Sequence, residues 1–131
     1  MSEIKKLDLS TNKILAQISN KVGHIIFNNP ERHNAVSLEM WDAVEEALIA
    51  FSKDENIRVV ILSGAGGKSF VSGADISKFD SERGSKDAVD HYNARLKVVY
   101  NLIENFAKPT IAMINGYCIG GGLNLASCTD F

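Results

Sequence analysis

The chain has little of what several common classes of protein require. Its two cysteines, Cys118 and Cys128, are too few for a disulfide framework and lack zinc-ligand companions, so we expect both to be small buried residues. No run of 18 apolar residues occurs, which excludes a membrane span, and we expect no membrane partner. A formal net charge of −2 argues against a nucleic-acid partner, because such binding usually needs a basic face. The polar N-terminus has no apolar signal core, so we predict a cytoplasmic protein.

The spacing of apolar residues predicts strands that alternate with helices. The 131 residues, of which 45% are hydrophobic and 23% charged, suit one globular domain over residues 1–131. We predict strands at residues 13–19, 22–27, 58–63 and 110–114, and helices at residues 37–52, at 86–106 and from about 121. Ser37 is the expected N-cap of the first helix, and residues 64–77 are expected to form the longest loop. This order indicates an α/β domain.

Two glycine-containing stretches follow apolar strands. Gly121 and Gly122 open the last predicted helix, where unpaired N–H groups and the helix dipole stabilise a phosphate or a transient oxyanion. A phosphate-binding P-loop is excluded because Gly122 and Leu123 stand where that motif requires Lys and then Ser or Thr. A dinucleotide-binding motif is excluded because Gly64 and Gly66 match its first two glycines but Ser69 stands in place of the third. From spacing alone, an anion site and mere close packing of helix on strand both remain open.

Three blocks, in order, make the chain recognisable: NNPERHNAVSLEMWDAVEEAL at residues 28–48, FVSGADIS at 70–77 and KPTIAMINGYCIGGGLNLASCTDF at 108–131. Together they resemble the crotonase superfamily, also called the enoyl-CoA hydratase/isomerase family. The resemblance implies an α/β fold with a spiral core of ββα units, of which this chain supplies only the N-terminal portion. It also implies that the full-length protein forms a homotrimer or hexamer.

The resemblance assigns a substrate and a site. Enzymes of this family bind an acyl-CoA thioester and hold its carbonyl oxygen between two main-chain amides, which here would be those of Ala74 and Gly121. It implies no metal and no separate cofactor, since CoA is part of the substrate. Arg32 or Lys78 could bind a phosphate, and an ordinary solvated surface role stays open for both, whereas Asp75 is expected to shape its loop. The residues expected to bind the substrate and its CoA portion are Arg32, Ala35, Ala74, Asp75, Ile76, Ser77, Gly121 and Asn124.

The chain departs from the family pattern at the carboxylates. Hydratases of the family use two glutamates, and Asn124 stands where the first is expected. An amide cannot act as a general acid or base near neutral pH, and the second glutamate would lie beyond Phe131. We therefore expect hydration or double-bond isomerisation of an enoyl-CoA in the full-length protein, with isomerisation the better fit to Asn124, and no useful hydratase activity from these 131 residues alone. The alternative is a non-catalytic acyl-CoA-binding or assembly module.

Overall fold

This computed structural model describes residues 3–131 of the chain, except for the side chains of Ile76, Phe79 and Arg83. The strands in that range are β1 (Lys5–Lys6), β2 (Ile14–Ser19), β3 (Val22–Phe27), β4 (Val59–Gly64), β5 (Ser69–Val71), β6 (Thr110–Ala112) and β7 (Tyr117–Cys118). The α-helices there are α1 (Leu38–Lys53), α2 (Phe79–Arg83), α3 (Lys86–Glu104) and α4 (Gly121–Cys128), and 3-10 turns lie at Pro30–Arg32 and Ile76–Lys78.

The larger sheet has the strand order β1-β2-β3-β4-β6. β2 and β3 form the predicted antiparallel hairpin, in which Asn20 and Lys21 make the turn with positive φ angles of 52° and 67°. β3, β4 and β6 run parallel, so the chain must cross over between them, and α1 and α3 lie in those two crossovers. The smaller sheet is the parallel pair β5–β7.

One face of the larger sheet forms the core against α1. Alternate residues of β2, β3 and β4 are buried, including Ile14, Ile25 and Leu62, which is the period-2 pattern of a half-buried strand. α1 contributes a buried stripe that includes Trp41 and Phe51. Phe27 lies between two further rings, edge-on to Trp41 and to Phe70 with 6.1 Å between the centroids in each pair. A densely packed aromatic centre therefore supports the loops above it.

The principal predicted elements are confirmed, with shifts of one or two residues at most ends. β6 is shorter than predicted and ends at Ala112. The predicted loop at 64–77 is wrong in part, because it contains β5. β5 pairs with β7 through Ser69–Tyr117 and Val71–Cys118, partners so far apart in sequence that local spacing cannot reveal them.

Two expectations about side chains need correction. Ser37 has the extended backbone of an N-cap, yet its hydroxyl makes no capping bond and is buried without a partner among the described residues. Cys118 and Cys128 are half-buried at the edge of the core instead of inside it, because β7 and α4 each keep an exposed face. Burial nevertheless raises the pKa of both thiols, that of Cys128 to about 11, so both stay protonated near neutral pH.

Candidate active site

The candidate site lies where three loops leave the carboxyl ends of the parallel strands. β3 ends at Phe27, β4 at Gly64 and β6 at Ala112, and the register pairs Phe27 with Gly64 and Leu62 with Ala112. Segments that are far apart in sequence therefore emerge side by side at one edge of the sheet, as ligand-binding loops do in α/β proteins. Buried Asn34 ties two of the loops together, because its Nδ2 donates to the carbonyl oxygens of Ala65 at 2.9 Å and Ser69 at 3.0 Å.

The three consecutive glycines at the start of α4 serve different purposes. Gly120, the N-cap, has φ 54° and ψ −121°, a conformation that residues with a Cβ rarely adopt. At Gly122 an added Cβ would lie 1.8 Å from the carbonyl oxygen of Val71, so the helix packs directly on β5. A Cβ at Gly121 would meet only ordinary contacts, at 3.6 Å from Tyr100 Oη and 3.7 Å from Gly73 Cα. Close packing therefore accounts for the glycine at position 122 but not for the glycine at position 121.

Ala74 is held beside this helix start by a short backbone bridge to Val36. The N–H of Val36 donates to the carbonyl oxygen of Gly73 at 2.8 Å, and the N–H of Asp75 donates to that of Val36 at 3.1 Å. In a parallel bridge of this kind the intervening residue directs its own N–H away from the partner strand. Gly73 lies next to Gly121, because a Cβ on Gly73 would be 3.7 Å from the nitrogen of Gly121.

The amides of Ala74 and Gly121 have no acceptor within residues 3–131, and both residues line one cleft. Its volume is about 400 Å³. The side chains around it are aromatic, aliphatic, hydroxyl or amide groups, and no Asp, Glu, Lys, Arg or His of the described residues is among them. The lining residues are Trp41, Ser72, Gly73, Ala74, Tyr92, Asn93, Leu96, Tyr100, Gly120, Gly121 and Asn124.

A second cavity adjoins the cleft. Its volume is about 370 Å³, and it shares Ser72 and Ala74 with the cleft, so the segment that carries the Ala74 amide forms a wall common to both. Arg32, Ala35 and Asp75 line this cavity, as predicted binding residues, together with Glu31 and His33. An elongated ligand could therefore extend from one cavity to the other across Ala74.

Asp75 shapes the loop that follows Ala74. Its carboxylate Oδ1 accepts hydrogen bonds from the N–H of Ser77 at 3.0 Å and from Ser77 Oγ at 2.6 Å. Its other oxygen, Oδ2, is buried and has no partner in the described part of the chain. Ser77 and Lys78 are exposed but do not line either cavity, and the side chain of Ile76 lies outside the described residues.

Asn124 is exposed on the first turns of α4 and lines the cleft. Its side-chain amide makes no hydrogen bond with the described residues, so it is available to a ligand. A neutral amide donates and accepts hydrogen bonds but does not take up or release a proton near neutral pH. Asn124 can therefore orient a bound group or a water, but it cannot act as an acid or a base.

The aromatic wall of the cleft was not anticipated. Trp41 lies in the helix predicted at residues 37–52, and Tyr92 and Tyr100 lie in the helix predicted at 86–106, but none of the three was predicted as a site residue. The available signal was that Tyr92, Leu96 and Tyr100 are spaced by four residues and therefore share one face of α3. By contrast, His24 lies in neither cavity. Its Nε2 is 2.7 Å from Ser63 Oγ, and burial lowers its pKa.

Comparison with known proteins decides the family. Residues 17–131 match the family model described as enoyl-CoA hydratase/isomerase. The chain belongs to the enoyl-CoA hydratase/isomerase family. It is 35% identical over 118 residues to a crotonyl-CoA hydratase of Syntrophomonas wolfei, and 35% identical over 116 residues to the mitochondrial Delta(3,5)-Delta(2,4)-dienoyl-CoA isomerase of Mus musculus.

Solved structures place the fold in the same family. The chain superimposes on an enoyl-CoA hydratase/carnithine racemase of Magnetospirillum magneticum with a TM-score of 0.87 and 37% identity, over 94% of this chain and 46% of that one. The sequence relatives are likewise matched over only part of their length: 90% of this chain aligns with 45% of the hydratase, and 82% aligns with 35% of the isomerase. The chain therefore corresponds to the N-terminal part of a crotonase-type fold and spans less than half the length of these relatives.

Residues 3–131 contain neither a membrane-spanning helix nor a cluster of metal-ligating side chains. No helix between residues 3 and 131 is both long and apolar enough to cross a bilayer. In the same range no three His, Cys, Asp or Glu side chains converge in a way that would hold a metal ion.

Proposed function

We propose that the protein binds an acyl-CoA thioester and stabilises the enolate form of its carbonyl between the amides of Ala74 and Gly121. The observation that carries this proposal is the pairing of two main-chain N–H groups, both without a protein acceptor in the described chain, at one cleft. One of them opens α4, so the helix dipole adds to the favourable potential for negative charge. The acyl chain lies in the cleft, and the CoA portion extends past Ala74 into the second cavity towards Arg32.

The physical reason for two amides lies in the chemistry of thioesters. A proton next to a thioester carbonyl is too weakly acidic to be removed unless the developing oxyanion is stabilised. Fixed donors in a site with little water do so without reorganising, and removal of one such donor typically costs about 3 kcal/mol of transition-state stabilisation. The aromatic and aliphatic wall formed by Trp41, Leu96 and Tyr100 makes one side of the cleft apolar, which strengthens the electrostatic effect of these amides.

The full-length protein hydrates an enoyl-CoA or shifts its double bond, with no separate cofactor. Relatives named as a crotonyl-CoA hydratase and as a dienoyl-CoA isomerase support both reactions. Isomerisation fits the cleft better than hydration. It needs only one proton-transfer group, and Asn124 stands in place of one of the two carboxylates that hydration uses. That group lies outside the cleft-lining residues described above, since none of them is a carboxylate or an imidazole.

The same lack of a carboxylate favours a second candidate from another class. A non-catalytic acyl-CoA-binding or assembly module would need only the two amides and the two cavities, all of which the chain supplies. The two candidates differ in turnover and not in binding, so they predict the same affinity for a thioester.

The test is to incubate the natural full-length protein with crotonyl-CoA and with a 3-enoyl-CoA, and to follow the absorbance of the conjugated enoyl thioester together with calorimetric binding. The enzyme proposal predicts turnover of at least one ester above the buffer rate. Tight binding of both esters without turnover would leave the binding module. Affinity for the esters no higher than for CoA without an acyl group would contradict both candidates.

Three further attributes belong to this proposal. We place the protein in the cytoplasm as a homotrimer or hexamer, acting on small-molecule thioesters, with neither a nucleic acid nor a membrane as its partner. The net charge of −2 supports the exclusion of nucleic acid. Light scattering of the natural protein would check its assembly, and a monomer would contradict the proposed oligomer. Fractionation of its cells would check its location. Recovery in an organelle, where relatives named as mitochondrial and peroxisomal are placed, would contradict a cytoplasmic location.

A further inference from the structure

The two proposed amide donors are joined by a chain of side-chain contacts behind the cleft. The chain begins at Gly121, whose carbonyl oxygen accepts a hydrogen bond of 3.1 Å from Tyr100 Oη. The Tyr100 ring lies edge-on to Trp41, with 6.0 Å between the centroids and 87° between the ring planes. On its other side, Trp41 donates from Nε1 to Tyr92 Oη at 3.0 Å. α1 and α3 are thus locked together at the level of the helix start that carries Gly121.

The chain ends at the segment that carries Ala74. Tyr92 Oη donates to the carbonyl oxygen of Val36 at 3.1 Å, and the same oxygen accepts the N–H of Asp75 at 3.1 Å. Val36 also donates its own N–H to the carbonyl oxygen of Gly73 at 2.8 Å. Val36 therefore hydrogen-bonds the residues on both sides of Ala74, and Tyr92 in turn hydrogen-bonds Val36.

We propose that Tyr100 and Tyr92 are positioning residues which, with Trp41 between them, fix the amides of Gly121 and Ala74 for one thioester oxygen. This inference rests on the proposed function. Preorganised donors are effective only if their geometry does not relax when charge develops. The glycine-rich backbone at residues 120–122 has little stiffness of its own, so neighbouring elements must supply it: β5 packs against Gly122, and Tyr100 of α3 binds the carbonyl oxygen of Gly121.

Burial supports the donor role of both hydroxyls. Tyr92 and Trp41 are 3% and 1% exposed, and Tyr100 is partly buried beside them. Burial, with smaller contributions from Cys128 and Tyr92, raises the pKa of Tyr100 to about 12, so its hydroxyl keeps its proton at any working pH. A buried donor whose acceptor is a main-chain carbonyl has one well-defined geometry, which is what a positioning contact requires.

The test compares Tyr100→Phe, Tyr92→Phe and the double variant in the natural full-length protein. Phenylalanine keeps the ring and removes only the hydroxyl. Tyr117→Phe is the matched control, because Tyr117 is 57% exposed, lies outside both cavities and contacts His33 through its ring alone. Thermal melts first establish that each variant is folded. The readouts are affinity for CoA without an acyl group, kcat and KM, and the infrared stretch of bound crotonyl-CoA labelled with ¹³C at the carbonyl.

We expect each single variant to lower kcat roughly tenfold while KM and the affinity for CoA change by less than about twofold, because only transition-state stabilisation is lost. The carbonyl stretch, which falls on binding to the unaltered protein, should return part of the way to its value in water. The double variant should lose less than the product of the two single effects, since both hydroxyls act through one chain of contacts. Tyr117→Phe should match the unaltered protein in every readout.

The outcomes separate this inference from the function on which it rests. If the unaltered protein binds crotonyl-CoA without any shift of the carbonyl stretch, the proposed function fails and the inference fails with it. A full shift and full kcat in both single variants would overturn the inference alone. Should Tyr100→Phe prove unfolded, Tyr92→Phe decides the question by the same readouts.

Discussion

At the residue scale, the three glycines of α4 divide the work of placing one amide. Gly120 turns the chain, Gly122 lets the helix pack on β5, and Gly121 lines the cleft with an N–H that has no acceptor within residues 3–131. The sequence alone could not separate these roles, because three consecutive glycines suit both an anion-binding site and close packing of a helix on a strand. The structure separates them through what a Cβ would meet at each position.

Replacement of Gly122 tests this division. Gly122→Ala would force a Cβ to within 1.8 Å of the Val71 carbonyl oxygen, whereas Gly121→Ala would meet nothing nearer than 3.6 Å. We expect Gly122→Ala to lower the free energy of unfolding by about 1–3 kcal/mol, the usual cost of overpacking. Urea denaturation of both variants gives the comparison. Equal stability of the two would mean that α4 does not depend on close contact with β5.

At the element scale, α1 is capped by residues far from it in sequence. At its N-terminus the N–H of Leu38 donates to the carboxylate of Glu82, at 3.0 Å to Oε1 and 3.1 Å to Oε2. At its C-terminus Lys108 Nζ donates to the carbonyl oxygens of Phe51 and Asp54, at 2.6 and 2.5 Å. Each cap places a charge of the sign that the helix dipole favours at that end.

The N-terminal cap predicts a pH dependence of stability. Burial, which outweighs the opposing effect of the bond from Leu38, raises the pKa of Glu82 above 4.5. The folded protein therefore holds this proton more tightly than the unfolded chain does. The contribution of that proton to stability is complete below pH 4.5 and is lost as the pH rises through the folded pKa.

Glu82→Gln removes this proton but keeps an oxygen that can accept from Leu38. We expect the stability of the unaltered protein relative to Glu82→Gln to fall as the pH rises above 4.5, because only the unaltered protein gives up a bound proton. Urea unfolding of both proteins between pH 4 and pH 7 measures the difference, in which the other carboxylates cancel. A difference that stays constant, or that grows with pH, would contradict the assignment.

The same helix indicates how far sequence carries at this scale. The spacing of Leu38, Trp41, Val44, Leu48 and Phe51 predicted α1 to within a residue, because amphipathic periodicity is a local property. Ser37 was predicted as its cap, but the carboxylate that binds Leu38 lies 44 residues away. β5 and β7 were missed because strands of three and two residues are too short to show a periodicity, and because their pairing partners are far apart in sequence.

At the scale of the whole molecule, the site is assembled by topology. Three loops that follow β3, β4 and β6 meet at one edge of the sheet and bring Arg32, Ala74 and Gly121 to two adjoining cavities. Sequence motifs indicated which residues to expect there. They did not indicate the wall that Trp41, Tyr92 and Tyr100 build behind the amides, because that wall depends on how α1 and α3 cross.

The proposed function depends on the amide of Gly121 polarising a thioester carbonyl, and the variants Gly121→Pro and Gly121→Ala isolate the effect of that amide. Proline removes the N–H yet suits the first position of a helix, whereas alanine keeps the N–H and has room for its Cβ.

The measurement is the infrared carbonyl stretch of ¹³C-labelled crotonyl-CoA bound to each variant of the full-length protein, together with its affinity and kcat. We predict that Gly121→Pro abolishes the shift, binds the thioester no better than CoA, and lowers kcat by about 10²–10³-fold, with far smaller losses in Gly121→Ala. An unchanged shift and affinity in Gly121→Pro would contradict it.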